Sequence, residues 1–253
     1  LKVSIITATY NSASTIRDTL ESVANQTYKD IEHIIVDGLS NDETLEIVRE
    51  YPHVAKIISE PDQGIYDAIN KGIQLAQGEV VGILNSDDFL SSNFVITKIV
   101  ESFNEDTDAI IADITFVSPS DVSKTIRYYS SKNWRPNLFR WGFMPPHPSF
   151  YLRKEYYDNF GLYKNSYKIA ADYELLIRML YINKLNYKYI NLQTVTMRTG
   201  GVSTENFMSR YTLNKEIIKA CAENGIYTNM IMLVLKYFIK VFEFLPKVNN
   251  QKT

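Results

Sequence analysis

The stretch Gly78–Leu90, "GEVVGILNSDDFL", sets a run of apolar residues directly before two adjacent carboxylates, Asp87 and Asp88. Val80, Val81, Ile83 and Leu84 form the near-continuous apolar pattern of a parallel strand covered on both faces. The carboxyl end of such a strand is where open α/β sheets bind ligands. Neighbouring carboxylates repel unless water, hydrogen-bond donors or a cation relieve them, and a divalent cation shared with a phosphate does so most strongly. The alternative is a solvated loop in which Ser86 or Asp87 caps a turn, since Asp is a common turn residue.

Three more strand and helix units precede this stretch. "VSIITATY" from Val3 reads as a buried strand, followed by a helix from about Ser14 to Asn25 with Ile16, Leu20 and Val23 on one face. "IEHIIVD" is a second strand, after which Ser40 to Glu43, "SNDE", has the form of a capping box opening a helix through Tyr51. "VAKIIS" is a third strand. "GIYDAINKGIQLAQG" is a helix with Ile65, Ile69, Ile73, Ala68, Gly72 and Ala76 inward and Gly78 as its C-cap. Strands alternating with helices at this spacing predict βαβ units, hence an α/β fold with a doubly wound, mainly parallel sheet.

In such a sheet the loops after the strands carry function, and each one here is polar. Thr7, Thr9, Tyr10 and Asn11 end the first strand, Asp37 the second; Glu60, Asp62 and Gln63 follow the third, and Asn85 to Asp88 the fourth. Hydroxyls, amides, an aromatic ring and carboxylates on one edge suit a base, a ribose and a metal-bound diphosphate. Neither G-x-G-x-x-G after the first strand nor G-x-x-x-x-G-K-[ST] occurs, so phosphates must be held another way. A cation on Asp87 is the candidate.

Composition narrows the classes. With 27 basic and 29 acidic residues the net charge is −2, which gives no electrostatic case for a nucleic-acid partner. The single Cys221 rules out an intrachain disulfide framework and fits a reducing compartment. The chain opens Leu1-Lys2 and then reads as a strand, without a charged n-region or cleavage site, so a cytoplasmic location is expected.

"VSIITATYN", "IIVDGLSNDET", "EPDQGIYDAINKG", "GILNSDDFL" and "AADYELLIR", in this order and spacing, resemble the family 2 glycosyltransferases of the GT-A fold, from about Val3 to Ser203. The resemblance implies a metal-dependent, inverting transfer of a sugar from a nucleotide diphosphate donor, with a UDP-sugar expected and Mn2+ or Mg2+ as cofactor. It places Thr7, Thr9, Tyr10 and Asp37 at the nucleobase and ribose, with Asn11, Asp62, Asn85 and Ser86 completing the nucleotide-binding set. The family's D-x-D-D signature falls on Asn85 to Asp88, which makes Asp87 the metal ligand. Asn85 departs from the pattern, losing a charge but keeping an acceptor. Asp88 orients Asp87 or caps the next helix. The resulting division is a GT-A domain over residues 1–203, nucleotide-binding to 112 and acceptor side from 113, with a helical appendage over 204–253.

The second half is less regular. "DAIIADITFV" and "KTIRYY" read as strands that extend the sheet with antiparallel pieces. "NWRPNLFRWGFMPPHPSFYLRK" is aromatic and proline-rich; its rings either pack beneath a loop or face an acceptor sugar, with Trp141 and His147 as candidates. In "IAADYELLIRML", Leu175, Leu176, Met179 and Leu180 face inward, and Glu174 and Arg178 form an i,i+4 pair. Asp172 is there either a helix N-cap or, by the resemblance, the general base, with Ala171 in place of the usual preceding Glu. "MRTGGVST" offers Arg198 and Gly201 either to a phosphate or to a turn.

Ile226 to Val248 is an apolar segment broken by Lys236, Lys240, Glu243 and Lys247, too interrupted for a spanning helix. It reads as a core helix or as one lying in a membrane interface. The expected function is a glycosyltransferase acting on a surface-polysaccharide or lipid-linked acceptor, at the inner face of the plasma membrane. The alternatives are a nucleotidyltransferase or other nucleotide-sugar enzyme on the same metal site, and a non-catalytic carbohydrate-binding protein.

Overall fold

The computed structural model describes residues 1–200 and 207–241. Strands β1 (Val3–Thr9), β2 (Ile31–Asp37), β3 (Val54–Ser59) and β4 (Val80–Ile83) alternate with helices α1 (Ile16–Ala24), α2 (Thr44–Arg49) and α3 (Ile65–Leu75). These four strands are parallel, with β1 between β2 and β4. The chain therefore leaves β1 toward β2 on one side and returns through β4 on the other. That reversal is a topological switch point, and the crevice it opens lies at the carboxyl ends of β1 and β4.

The rest of the sheet is built from β5 (Phe89–Leu90), β6 (Ala109–Ser118), β7 (Asp121–Tyr129), β8 (Tyr151–Arg153) and β9 (Tyr187–Arg198), with helix α4 (Val95–Ser102) between β5 and β6. The order is β3-β2-β1-β4-β8-β6-β9-β5, with β7 pairing β6. β8 is antiparallel to β4 and β6, while β6 and β9 are parallel. β7 takes up the edge of β6 at Ile114–Ser118, where pairing with β8 at Ala109 and Ile110 has ended.

Burial follows the sequence pattern where packing decides it. β1 and β4 are buried along their whole length, as strands covered on both faces must be. The edge strand β3 alternates between partly buried and exposed, and its Lys56 pairs with buried Glu32 of β2. Ala68, Ile69, Gly72, Ile73 and Ala76 of α3 are buried as predicted, but Ile65 is 48% exposed because the helix starts there, beyond the sheet edge.

Two local expectations are corrected. Ser40 does not cap α2: its hydroxyl donates to Asp37 and accepts from Asn11 N–H, while Asp42 accepts from Thr44 N–H, so the segment closes a loop before the helix. Gly78 is not the C-cap of α3, which is Ala76. A Cβ at Gly78 would stand 2.6 Å from Ser4 N, so the glycine lets the chain pass against β1 on its way into β4.

Helices α5 (Lys154–Phe160), α6 (Ala171–Leu176) with its π-helical continuation Ile177–Ile182, α7 (Phe207–Glu223) and α8 (Met230–Val241) complete the described chain. Ile217, Ala220 and Cys221 of α7 and Leu233 of α8 are buried in the same core cluster as β1, β4 and α6. Among the described residues, α7 and the start of α8 therefore pack into the domain core. Among the described residues no helix is long and apolar enough to cross a membrane.

Candidate active site

Four loops at the carboxyl edge of the sheet are stitched together by short polar side chains. Asn11, in the left-handed region at φ 49°, receives Asn41 N–H on its Oδ1 and gives its own N–H to Ser40, joining the first loop to the second. The Ser12 and Ser86 hydroxyls, 2.8 Å apart, join the first loop to the fourth. Gly38 joins the second to the third, since a Cβ there would lie 2.4 Å from Asp62 Oδ2 and 3.6 Å from the Tyr10 ring. Tyr10 stands 61% exposed beside this crossing, an aromatic face open to a planar ligand. The Thr9 hydroxyl is buried and has no hydrogen-bond partner among the described residues.

The fourth loop holds the adjacent carboxylates in unlike surroundings. Asp88 is buried and fully engaged: Oδ2 accepts from Asn85 Nδ2 at 2.9 Å, and Oδ1 accepts from Arg198 N–H at 3.2 Å. The Asp87 carboxylate takes no hydrogen bond from any other described residue. Burial raises Asp87 above the usual carboxylate range. Burial, and then the charge of Asp87, push Asp88 up to about 7. Arg198 fixes this loop from β9, donating to Asp87 O, pairing with Asp18 of α1 and lying over the Phe89 ring.

No group of three His, Cys, Asp or Glu side chains that could hold a metal occurs among the described residues. The donor set nevertheless fits an Mg2+- or Mn2+-type ion, which binds through one or two carboxylates and completes its shell with water and substrate phosphates. An unbonded carboxylate beside a second, orienting one is such a set.

Asp172 occupies the first turn of α6, but it is not the N-cap, which is Ala170. Its Oδ1 accepts from Tyr173 N–H at 2.8 Å and from Tyr66 OH at 3.3 Å. Burial raises Asp172 to about 6, against the hydrogen bonds that pull it down. A carboxylate with that value is ionised at neutral pH yet basic enough to take a proton. Tyr66 belongs to the first turn of α3, directly after the loop of Asp62, and so ties α6 to the crevice edge.

The profile of glycosyl transferase family 2 matches residues 4–190. The chain belongs to that family. A PGL/p-HBAD biosynthesis glycosyltransferase of Mycobacterium bovis is 28% identical over 222 residues, covering 85% of this chain and 82% of that protein. Among solved structures, Staphylococcus aureus TarS 1-349 with UDP-GlcNAc superposes with a TM-score of 0.68 at 21% identity. The match covers 87% of this chain and 66% of that one, just under two-thirds of its length. The mannosyltransferase PcManGT of Pyrobaculum calidifontis, with GDP-Man and Mn2+, superposes at 0.58 and 17% identity, covering 95% and 80%. The fold is GT-A, and the chain is a transferase of sugars, which sets the nucleotidyltransferase alternative aside.

In this family 2 glycosyltransferase the expected site residues fall in different surroundings. Tyr10, Asn11, Asp62, Ser86 and Asp87 meet at the crevice, and Asn85 joins them through Asp88 with its Oδ1 unbonded by any described residue. Thr7 and His147 are displaced from the ligand-facing set. The Thr7 hydroxyl is fully buried 3.1 Å from His33 Nε2, and His147 is buried against Tyr163 OH with its ring pushed down to about 4 by burial. Asp37 is also fully buried, its carboxylate taken up by Ser40 and Ser59, so it shapes the second loop without offering a free oxygen. Trp141 is half-buried at the end of the 3-10 turn Pro136–Trp141, and Gly201 lies outside the described residues. Arg198 braces the fourth loop. Sequence reading missed Asp18, its partner, and Tyr66; the only available signal for Tyr66 was its place inside "GIYDAINKG".

Proposed function

We propose that the protein transfers a sugar from a UDP-sugar to a hydroxyl of a glycolipid or surface-polysaccharide acceptor, with inversion at the anomeric carbon. The observation that carries the reading is Asp172, a half-buried carboxylate raised to about 6 at a helix start where it caps nothing but its own neighbour. Inversion needs a base on the face opposite the leaving group. Asp172 takes the acceptor hydroxyl proton as that oxygen bonds to the anomeric carbon and the bond from the anomeric carbon to the diphosphate oxygen breaks. The exposed Tyr10 ring is assigned to the base, and Asp62 and Asn85 Oδ1 to the ribose. A bound Mn2+ or Mg2+, held by Asp87 with Asp88 orienting it, supplies positive charge to the departing diphosphate.

UDP-GlcNAc in TarS and the glycolipid pathway named for the mycobacterial relative support this choice of donor and acceptor class. Mass-spectrometric screening of UDP-sugars and GDP-mannose tests it. One UDP-sugar should be turned over with manganese and none with EDTA; turnover unaffected by EDTA, or none at all, contradicts it.

The acceptor class also directs attention to α8. Ile231, Val234 and Leu235 are exposed on one stripe of the helix, with exposed Tyr227 one turn before them, while Leu233 faces the core. The sequence adds Lys236 and Lys240 and no acidic residue between Met230 and Val241. An apolar stripe with lysines and no counter-charge suits an anionic membrane surface. Co-sedimentation of the full chain with anionic liposomes should be lost when the exposed residues are changed together, Ile231→Asp with Leu235→Asp, with donor turnover retained within about threefold. Undiminished co-sedimentation contradicts the attachment.

A further inference from the structure

Asp172 is held by two residues that lie on other elements and meet at one peptide unit. Tyr66 OH of α3 shares its one proton between Ile169 O at 2.5 Å and Asp172 Oδ1 at 3.3 Å. Glu216 of α7 accepts three consecutive N–H groups on the other side of the same turn, Lys168 at 2.8 Å and Ile169 and Ala170 at 2.9 Å each. These are the donors that precede α6, and no side chain of α6 itself caps it. The carboxylate thus sits at the positive end of the helix, where an anion is favoured, and anchors the turn to α7.

The Tyr66 ring is itself immobilised. It stacks on Tyr163 with centroids 5.7 Å apart, and Tyr163 is bonded to His147 and, through both its backbone groups, to Asn70 one turn along α3. The groups that face Asp172 are therefore Tyr66 from α3, Glu216 from α7 and Tyr163 from the segment before α6, together with the N–H of Tyr173.

We propose that Tyr66 and Glu216 are positioning residues that clamp the turn 168–170 from opposite sides and so aim Asp172 at the acceptor hydroxyl. The proposal rests on Asp172 being the base. The two halves of the clamp act on that carboxylate with opposite signs. Tyr66 donates a hydrogen bond to its ionised form and favours it, whereas the charge of Glu216 disfavours it. Losing the Tyr66 hydroxyl leaves the base harder to ionise, and neutralising Glu216 makes it easier.

The test is the pH dependence of kcat for the full chain with Mg2+, using whichever UDP-sugar or GDP-mannose is turned over fastest and water as acceptor. In Tyr66→Phe, which removes one oxygen, the acidic limb should move up by about half to one pH unit, with kcat at pH 6 down roughly two- to fivefold and donor KM within about twofold. In Glu216→Gln the limb should move down, with a lower plateau because the turn has lost acceptors. A role confined to stability would lower the melting temperature and leave both limbs in place, and unmoved limbs overturn the clamp. If Tyr66→Phe does not fold, Glu216→Gln decides alone, by the same downward or absent shift. Asp172→Asn separates the two levels. Wild-type turnover in that variant removes the base and the clamp together; lost turnover with unmoved limbs in the other variants removes only the clamp.

Discussion

Asp172→Asn is expected to lower turnover by a hundredfold or more, with donor affinity within about twofold of wild type. A positioned base contributes on the order of a hundredfold or more, and an amide cannot take the proton. The same variant should be more stable than wild type at pH 7. Asp172 is raised from 3.8 to about 6, so the folded state prefers the protonated form. Ionising it in place costs about 1–3 kcal/mol at neutral pH. This cost is fully present above about pH 6 and disappears below about pH 4, where both folded and unfolded chains are protonated. Asn keeps an oxygen for Tyr66 and Tyr173 and carries no charge, so the gain in melting temperature should follow that window. Thermal unfolding of both proteins at pH 4 and pH 7.5 checks the sign. A variant less stable at pH 7.5 would make Asp172 a structural group, whatever its effect on rate.

Asp87→Ala is expected to abolish the gain in UDP affinity that manganese brings, a loss of roughly 30- to 150-fold if the ion contributes about 2–3 kcal/mol. Asp87 is the unbonded member of the pair, while Asp88 is held by Asn85 and Arg198, so removing Asp87 takes away the ligand and leaves its neighbour in place. Because Asp88 stands at about 7 beside Asp87, metal binding should release protons below pH 7, and affinity should rise from pH 6 to pH 8. Calorimetry with UDP, with and without manganese, reads all three effects. An unchanged manganese-dependent titration would remove Asp87 from the metal site.

Much of the nucleotide half was legible because its signals are local. Four apolar strands, three amphipathic helices and polar residues after each strand are properties of short windows, and the switch point between β1 and β4 follows from them. Five motifs in register brought out the family. What stayed hidden depends on side chains meeting across long separations. Thr7 is polar and stands near the end of a strand, yet it spends its hydroxyl on His33; His147 sits in an aromatic, proline-rich stretch, yet it is buried on Tyr163. Neither contact has a sequence signature. Ser40 has the form of a cap, but Asp37 three residues earlier competes for its hydroxyl and wins. Glu216 lies on a helix whose polar and apolar residues are poorly segregated, so nothing in "TLNKEIIKA" marks it as the support of a turn nearly fifty residues away. Integration of α7 into the core was missed for the same reason: Ile217, Ala220 and Cys221 make a narrow stripe that gains meaning only against α6.

The central claim is that Asp172 deprotonates an acceptor on the face of the sugar opposite a leaving group bound through Asp87. The measurement that tests it most directly is proton NMR of the sugar first released from an α-linked UDP-sugar by the manganese-loaded protein, recorded before mutarotation. The β anomer should appear first, and its release should stop with EDTA. The α anomer appearing first would mean retention and would contradict the roles given to both carboxylates.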